Sequence, residues 1–98
     1  MTYSVVFSPE AQRHLRSFTP REQQAILARI EARLISSPTV ESRNVKQLRP
    51  NPLARFELRI GEFRVFYDPD EVEQVVQVLA IGRKQHNRLM IGGREVSL

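Results

Sequence analysis

A chain of 98 residues, 41% of them hydrophobic and 27% charged, has room for one globular domain and not for a second core. The absence of cysteine excludes a disulfide framework and a thiolate metal site. No stretch approaches the roughly 20 apolar residues of a membrane helix. Residues 1–7 lack the charged start and long apolar run of a signal peptide, so we expect a cytoplasmic protein without a membrane partner.

The net charge of +4 is distributed unevenly along the chain. Residues 43–64 contain six basic side chains against two acidic ones, and residues 65–82 contain four acidic side chains and no basic one. Residues 83–98 contain four basic side chains against one acidic one. Arginine predominates, and its planar guanidinium suits phosphate oxygens. The two basic blocks indicate either a solvated basic surface or a binding surface for a polyanion.

The N-terminal part of the sequence predicts a strand followed by two helices. Ser8-Pro9-Glu10 combines a capping residue, a proline at the first helical position and an acid in the first turn, which together open a helix. Thr19 and Glu22 have the spacing of a capping box, so a second helix follows a sharp corner and continues until Ser36-Ser37-Pro38 stops it. Apolar residues alternate in the strand and recur at helical spacing in the helices: Tyr3, Val5 and Phe7, then Ala11, Leu15 and Phe18, then Ile26, Leu27, Ile30 and Leu34.

The middle of the sequence predicts a loop and then a β-hairpin. Residues 38–53 contain three prolines and no clear period, which is typical of a loop. From residue 54 onward every second residue is apolar, which predicts a strand over residues 56–60. Gly61-Glu62 has glycine at the first position of a two-residue turn, as a type II′ hairpin requires, and a second strand follows.

A third strand and a basic tail complete the predicted fold. Asp68-Pro69-Asp70-Glu71 predicts a second turn, Val75–Ile81 has the apolar character of an inner strand, and Gly82 is expected to end that strand. Residues 83–98 form a basic tail whose last part is either a short strand or an arm ordered by a partner. We therefore predict one domain over residues 1–98 with an α+β fold: an N-terminal strand, a two-helix hairpin and a three-stranded antiparallel meander.

The register of the predicted hairpin brings charged side chains together. If the two-residue turn is the whole connection, Arg59 lies directly opposite Arg64. Arg55 and Glu57 then point to the same face of the sheet, away from the helices. Two opposed arginines repel, and the stability of the fold gives no reason for that pair. A surface ion cluster around Glu57 is one explanation, and a site for an anion, with Phe66 as a flat surface on which a base stacks, is the other.

The end of the third strand adds further polar groups to this face. We expect it to deliver Arg83, Lys84 and His86 to the open edge of the sheet. Histidine is the side-chain type that most readily exchanges protons near neutral pH, although a histidine in a polar tail is also explained as a solvated residue. The other histidine, His14 on the first helix, is interpreted as a surface residue.

These residue types fit the cleavage of RNA without a metal. That reaction needs a base for the 2′-hydroxyl, cations for the charge that develops on the phosphate, and an acid for the leaving oxygen. Arginines supply the cations, Glu57 is the candidate base and His86 is the candidate acid. The carboxylates of residues 68–73 crowd one turn, for which a solvated acidic loop is a simpler explanation than a metal site. We therefore predict neither a metal nor a cofactor.

The order of the elements and several motifs resemble toxins of the RelE type over nearly the whole chain. The motifs are Leu48-Arg49, Phe56-Glu57-Leu58-Arg59, Phe63-Arg64-Val65-Phe66-Tyr67 and Ala80-Ile81-Gly82-Arg83-Lys84. The resemblance implies the toxin of a type II toxin–antitoxin system: a ribosome-dependent endoribonuclease (mRNA interferase) that cuts messenger RNA in the decoding site and so inhibits translation. It also implies a small antitoxin protein that wraps the toxin and blocks its basic face.

Carried over residue by residue, the resemblance implies that Arg64 binds the phosphate. Arg55 and Glu57 stand where toxins of the RelE type have catalytic lysines, and Glu57 reverses the charge at its position. Arg83 and Lys84 stand at the positions of the basic pair that follows the last strand in this family.

Near the C-terminus the sequence departs from the family pattern. The family has a tyrosine that stacks on the RNA, and Leu89-Met90 stand near its place. Other members use a histidine close to the C-terminus, so His86 is the candidate for the acid role. The predicted catalytic residues are Arg55, Glu57, Arg59, Arg64, Arg83, Lys84 and His86, and the predicted RNA-binding residues are Lys46, Arg49, Phe66 and Arg88.

Two other functions are compatible with the same pattern. Toxins of the ParE type share the fold that the resemblance implies but poison DNA gyrase and need no catalytic groups. Arg64 and the basic Gly82-Arg83-Lys84 favour the ribonuclease over a ParE-like gyrase inhibitor. The last alternative is a basic nucleic-acid-binding module without activity.

Overall fold

The computed structural model describes residues 2–98, which form two helices packed on one face of a seven-stranded sheet. The helices are α1 (Pro9–Arg16) and α2 (Pro20–Leu34). The strands are β1 (Ser4–Phe7), β2 (Val45–Gln47), β3 (Phe56–Ile60), β4 (Phe63–Asp70), β5 (Val75–Gln85), β6 (Arg88–Ile91) and β7 (Arg94–Val96). The predicted α+β class is confirmed, but the sheet has three more strands than the four predicted. No helix within residues 2–98 has the length and apolar character needed to cross a membrane.

Both helices begin at the residues that the sequence predicted. The Ser8 hydroxyl accepts a hydrogen bond from the Ala11 N–H at 3.0 Å, and Pro9 occupies the first helical position. Thr19 and Glu22 form the reciprocal bonds of a capping box, at 3.1 and 3.0 Å. These caps satisfy amide groups that have no partner inside a helix, and the capping box at Thr19 lies at the corner between α1 and α2.

The sheet is mostly antiparallel, in the order β2-β3-β4-β5-β6-β7, with β1 parallel to β5. One edge of β5 pairs with β4, and the other is shared by β1 over residues 75–78 and by β6 over residues 82–85. The gap between these two partners is filled by side chains. The Ser8 hydroxyl donates to the Leu79 carbonyl at 3.2 Å, and the Ile81 N–H donates to Nδ1 of His14 at 3.2 Å. His14 is therefore half-buried and structural, so its interpretation as a surface residue was wrong.

The predicted second turn lies further along the chain than expected. β4 continues through residues 68–70, and the turn occupies residues 71–74, where Gln74 has a positive φ of 56°. A register shift at Phe66/Tyr67 adjusts the pairing with β5. The strand tolerates Pro69 because β3 ends its pairing at Tyr67, so the proline has a neighbouring strand on one side only. Asp70 instead caps the turn by accepting from the N–H groups of residues 72 and 73 at 3.0 Å.

Gly82 does not end β5, and the basic tail is not a free arm. β5 runs to Gln85, and residues 88–96 form β6 and β7 as a second hairpin on the sheet. A Cβ atom at position 82 would lie 2.6 Å from the Met90 carbonyl oxygen and 2.7 Å from Cγ1 of Ile91. Glycine is thus required here because β6 approaches closely, and not because the strand stops.

Hydrophobic side chains pack on both faces of the sheet. The larger cluster joins the helices to the strands through residues such as Ile26, Leu34 and Tyr67. The smaller cluster lies on the opposite face, where Ala54, Phe66, Ala80 and Ile91 are buried under partly buried neighbours: Leu48, Leu53, Leu79, Leu89 and Val96. The face that the sequence suggested was open is therefore covered at its centre by this smaller cluster.

Candidate functional site

The β3–β4 hairpin has the predicted register. Ile60 pairs with Phe63 and Arg59 pairs with Arg64, so Gly61 and Glu62 form the whole turn. Gly61 has a φ of 58°, and Glu62 is not among the described residues with positive φ, as expected for type II′. The two arginines consequently lie side by side on the face of the sheet away from the helices.

Arg64 is buried although it is charged. The residue is only 5% exposed, and its guanidinium donates to the carbonyls of Gly61 and Phe63 at 2.7 and 2.9 Å. No carboxylate within residues 2–98 forms an ion pair with it. Burial lowers the pKa of Arg64 from its ordinary value and Arg59 lowers it further, whereas Glu57 acts in the opposite direction. The fold therefore holds a desolvated cation without a counterion.

Arg64 forms part of the lining of a small cavity of about 110 Å³. The cavity is lined by side chains from the segment before β2, from β2 itself, and from β3, β4 and the end of β5. Five of the lining residues are cationic and one is acidic, and none of the six forms an ion pair with another described residue. The lining residues are Arg43, Asn44, Lys46, Glu57, Arg59, Arg64 and Lys84. We call this space the Arg64 cavity.

A larger groove of about 700 Å³ adjoins the Arg64 cavity. The two spaces share Lys46, Glu57 and Lys84. Lys46 stands directly opposite Glu57 in the register of β2 and β3. The groove lies between residues 46–51 on one side and residues 95–98 with the β5–β6 turn on the other. We call it the lateral groove.

The fold brings together most, but not all, of the predicted site residues. Glu57, Arg59, Arg64, Lys84 and Lys46 line the Arg64 cavity. Arg49 lines the lateral groove. These six residues come from five separate parts of the chain, and strand pairing places them on one face.

Arg55 lies away from this group. Its guanidinium donates to the Pro69 carbonyl and lies 4.0 Å from a carboxylate oxygen of Asp68. It lines a different surface cavity, whose other charged residues are acidic: Asp68, Asp70, Glu71 and Glu73. β3 begins at Phe56, so Arg55 precedes the strand. The alternation of side chains along β3, which would have put Arg55 on the same face as Arg59, does not extend to it.

Arg83 lies on the opposite face of the sheet. It pairs with Phe63, its guanidinium lies 4.8 Å from the centre of the Phe63 ring and 5.6 Å from that of Phe18, and it forms ion pairs with Glu22 and Glu62. Side chains alternate along a strand, so when Lys84 faces the cavity Arg83 must face the helices. Arg83 therefore joins α2 to the hairpin and does not reach the Arg64 cavity.

Three further predicted residues are not placed in the cavity. Phe66 is completely buried in the smaller hydrophobic cluster, which corrects the expectation that it offers a flat surface to a base. His86 is exposed in the β5–β6 turn with a φ of 53° and lines neither space. Arg88 is exposed and bonded to Glu95 at 2.9 Å.

Two residues of the cavity were not singled out from the sequence. Arg43 and Asn44 lie just before β2, and the Asn44 carbonyl accepts from the Arg59 N–H at 2.7 Å. The only sequence signal for β2 is Val45, one apolar residue among polar ones. That signal is too short to predict a strand, so the position of its neighbours was not foreseen.

The Arg64 cavity can bind an anion and move a proton. Guanidinium and ammonium groups converge on a space large enough for a phosphate group, and the buried Arg64 among them attracts an anion more strongly than an exposed cation does. Glu57 is the one carboxylate at this place and can accept a proton from a bound hydroxyl group. The lysines can donate a proton to an oxygen that leaves.

Comparisons with known proteins agree with this fold. A family model described as the ParE toxin of the type II toxin–antitoxin system parDE matches residues 5–88. A search of curated proteins gave no match. Among solved structures, the chain is similar to one in the crystal structure of the toxin–antitoxin complex RelBE2 from Mycobacterium tuberculosis, with a TM-score of 0.74, 27% identity, and coverage of 86% of this chain and 100% of that one. The chain therefore belongs to the ParE toxin family of type II toxin–antitoxin systems, within the RelE/ParE superfamily.

Proposed function

We propose that this toxin is an endoribonuclease that cleaves messenger RNA on the ribosome without a metal and so stops translation. The observation that carries the proposal is Arg64, a buried cation without a counterion, in a cavity that four other cations line. Such an arrangement costs free energy in the folded protein. A bound phosphate would remove that cost, and a phosphate that gains charge during a reaction would be stabilised most.

The reaction follows from the groups in the Arg64 cavity. The phosphodiester lies against Arg64 and Arg59, and Glu57 accepts the proton of the adjacent 2′-hydroxyl. The 2′-oxygen forms a bond to phosphorus while the bond to the 5′-oxygen breaks, and Lys84 donates the proton that this oxygen needs. The products are a 2′,3′-cyclic phosphate and a 5′-hydroxyl. We assign the acid to Lys84 rather than to His86 because Lys84 lines the cavity.

The partner proposed for this toxin is an antitoxin protein. The similar solved chain belongs to a toxin–antitoxin complex. An antitoxin that presents a carboxylate to the Arg64 cavity would supply the missing counterion and exclude RNA at the same time. Action on messenger RNA would place the free toxin in the cytoplasm.

Inhibition of DNA gyrase is the second candidate. It is favoured by the family model, which is that of ParE toxins, and by the absence of a histidine from the lining of the Arg64 cavity. A gyrase inhibitor needs no proton transfer in this cavity. Its binding surface would depend on the helices or on the β6–β7 hairpin instead.

The experiment that tests the proposal is translation in a purified bacterial system with added toxin. We expect wild-type toxin to give cut messages on ribosomes, with cyclic phosphate ends, in buffer with or without a chelator that leaves the ribosome's own magnesium in place. The Arg64→Ala variant should leave the message intact. Intact message with wild-type toxin would contradict the proposal. Inhibition of supercoiling by purified gyrase would then support the second candidate, and retention of RNA binding without cleavage would indicate a basic binding module.

A further inference from the structure

The segment between α2 and β2 contributes one cation to the Arg64 cavity. Arg43 lines the cavity, yet it is exposed and belongs to residues 39–44, none of which is buried. The apolar anchors of this segment are Pro38 before it and Val45 after it, and both are fully buried. A segment without a buried side chain is held in one position only by its polar contacts, so the placement of Arg43 depends on them.

Arg33, in the last turn of α2, makes several of these polar contacts. Its guanidinium donates to the carbonyls of Ser37 and Val40 and, in a longer contact of 3.4 Å, to the Ser42 hydroxyl. No carboxylate within residues 2–98 forms an ion pair with Arg33. A guanidinium presents five N–H donors in a fixed plane, so it can bond three acceptors along a chain at once. Arg33 therefore fastens the segment to α2.

Ser42 extends this connection to the residues beside the cavity. Its hydroxyl accepts from the Asn44 N–H at 3.2 Å, and its own N–H donates to the Val45 carbonyl at 2.9 Å. The Asn44 carbonyl in turn accepts from the Arg59 N–H at 2.7 Å. Arg43 thus lies between two hydrogen-bonded neighbours, one connected to α2 and the other to β3.

The start of the segment has an anchor of its own, which does not reach Arg43. The Tyr67 hydroxyl donates to the Pro38 carbonyl at 2.7 Å, and both residues are buried. This bond ties Pro38 to β4, the strand that carries Arg64. It fixes where the segment begins, whereas the contacts of Arg33 fix the part that follows.

We infer that Arg33 is a positioning residue, which holds residues 39–44 so that Arg43 is in place to bind the RNA phosphate at the Arg64 cavity; this rests on the proposed function. Arg33 does not line the cavity and takes no part in the proton transfers. Arg43 is exposed, so its attraction for the phosphate changes little as the reaction proceeds. Loss of Arg33 should therefore raise KM and leave kcat nearly unchanged.

The test is a double-mutant cycle on the full chain. The dissociation constant of an uncleavable 2′-O-methyl trinucleotide is measured by NMR titration. Arg33→Met and Arg43→Gln should each raise this constant roughly tenfold, since each loses one charged contact with the phosphate. The double variant should bind no more weakly than Arg43→Gln alone, because Arg33 acts through Arg43.

Three further variants separate positioning from charge and from folding. Arg33→Lys keeps the charge but loses the planar set of donors, so it should bind as weakly as Arg33→Met. Arg29→Met removes an exposed charge from the same helix and should bind nearly as wild type does. Ser42→Ala removes one link at an exposed position, so it should fold even if Arg33→Met does not. It should weaken binding by a smaller factor, and only when Arg43 is present.

The outcomes separate this inference from the proposed function. Additive losses in the double variant, wild-type affinity in Arg33→Lys, or a fall in kcat with unchanged KM would overturn the inference. If wild type cut messages and Arg64→Ala did not in that case, the proposed function would stand. Coupled losses of binding without any cleavage by wild type would contradict the proposed function and keep the role of Arg33 toward an anion. If neither the trinucleotide nor inorganic phosphate bound to wild type, both would be wrong.

Discussion

Arg64 and Arg83 lie one step apart in the same ladder and on opposite faces of the sheet. Arg83 pairs with Phe63, and Arg64 pairs with Gly82. Arg83 has two carboxylate partners and stacks over two rings. Arg64 donates hydrogen bonds to two backbone carbonyls and shares its cavity with four other cations. The same type of side chain thus has carboxylate partners on the helix face and is left without a counterion on the other.

This difference in partners indicates that Arg83 stabilises the fold and that Arg64 does not. A cation between carboxylates and rings adds to the stability of the native state. A desolvated cation beside like charges reduces that stability, and under the proposed function its presence is explained by an RNA phosphate that is bound only part of the time. We therefore expect substitutions at Arg83 to change stability and substitutions at Arg64 to change activity.

The largest expected effect is the loss of activity in Arg64→Met. Methionine retains most of the buried stem and removes the charge, so cleavage should fall by roughly 10²–10³-fold or more, while the free energy of unfolding should stay equal or rise. Growth inhibition after induction and urea unfolding measure the two quantities. Arg29→Met on the exposed side of α2 is the control. A variant that kept its toxicity would show that the missing counterion has no functional meaning.

Gly82→Ala should lower stability by pushing β6 away from β5. The new methyl group would meet the Met90 carbonyl and the Ile91 side chain, so β6 must move away from β5 at a cost of about 1–3 kcal/mol in unfolding free energy. Thermal or urea unfolding measures this loss. Gly93→Asn is the matched control because position 93 has a positive φ that asparagine tolerates and open space around it. Equal stability of the two variants would contradict the close approach of β6.

Arg83→Met should lower stability and spare the reaction. It removes both ion pairs and the contacts of the guanidinium with Phe18 and Phe63, which we expect to cost about 1–2 kcal/mol because solvent screens the partly exposed pairs. Cleavage per folded molecule should match wild type. A selective loss of cleavage with unchanged stability would place Arg83 back among the catalytic residues.

The smallest expected effect is a pH dependence that comes from His14. Burial lowers the pKa of His14 below its ordinary value of 6.5, Arg13 adds to this, and Glu10 opposes it. The unfolded chain therefore takes up a proton first as pH falls, so stability is complete above about pH 6.5 and decreases below it. The His14→Asn variant keeps an acceptor for the Ile81 N–H and should lose this decrease between pH 7.5 and 5.5.

The control for this prediction is the other histidine, which is exposed in a turn. His86→Asn should retain the decrease in unfolding free energy that wild type shows over the same pH range, and asparagine suits the positive φ there. Parallel pH profiles for His14→Asn and wild type would mean that the bond to Ile81 contributes nothing that depends on protonation.

Local chemistry explains what the sequence could predict. The caps at Ser8 and Thr19 and the glycine of the β3–β4 turn act within four residues, so their spacing is sufficient to place helix starts and a strand register. That register put Arg59 beside Arg64, which is the centre of the candidate site. The most informative prediction thus depended on one two-residue turn.

Contacts between distant segments explain what the sequence could not predict. Phe66 is buried because the loop near Ala54 and strand β6 pack over it. No pattern in the sequence around Phe66 predicts this packing. Gly82 was interpreted as a strand end, so the alternation that sends Arg83 and Lys84 to opposite faces was not applied to them. If β5 is continued through Gly82, strand alternation directs Arg83 to the helix face and Lys84 to the Arg64 cavity.

The measurement that tests the central claim most directly is an NMR titration of the arginine side-chain Nε–H signals in one sample. The probe is an uncleavable 2′-O-methyl trinucleotide, with inorganic phosphate as a second ligand. We predict that the Arg64 signal shifts as ligand is added and that the Arg83 signal stays in place. An unchanged Arg64 signal with ligand bound elsewhere, or a shift at Arg83 alone, would contradict the claim that Arg64 is held for an RNA phosphate.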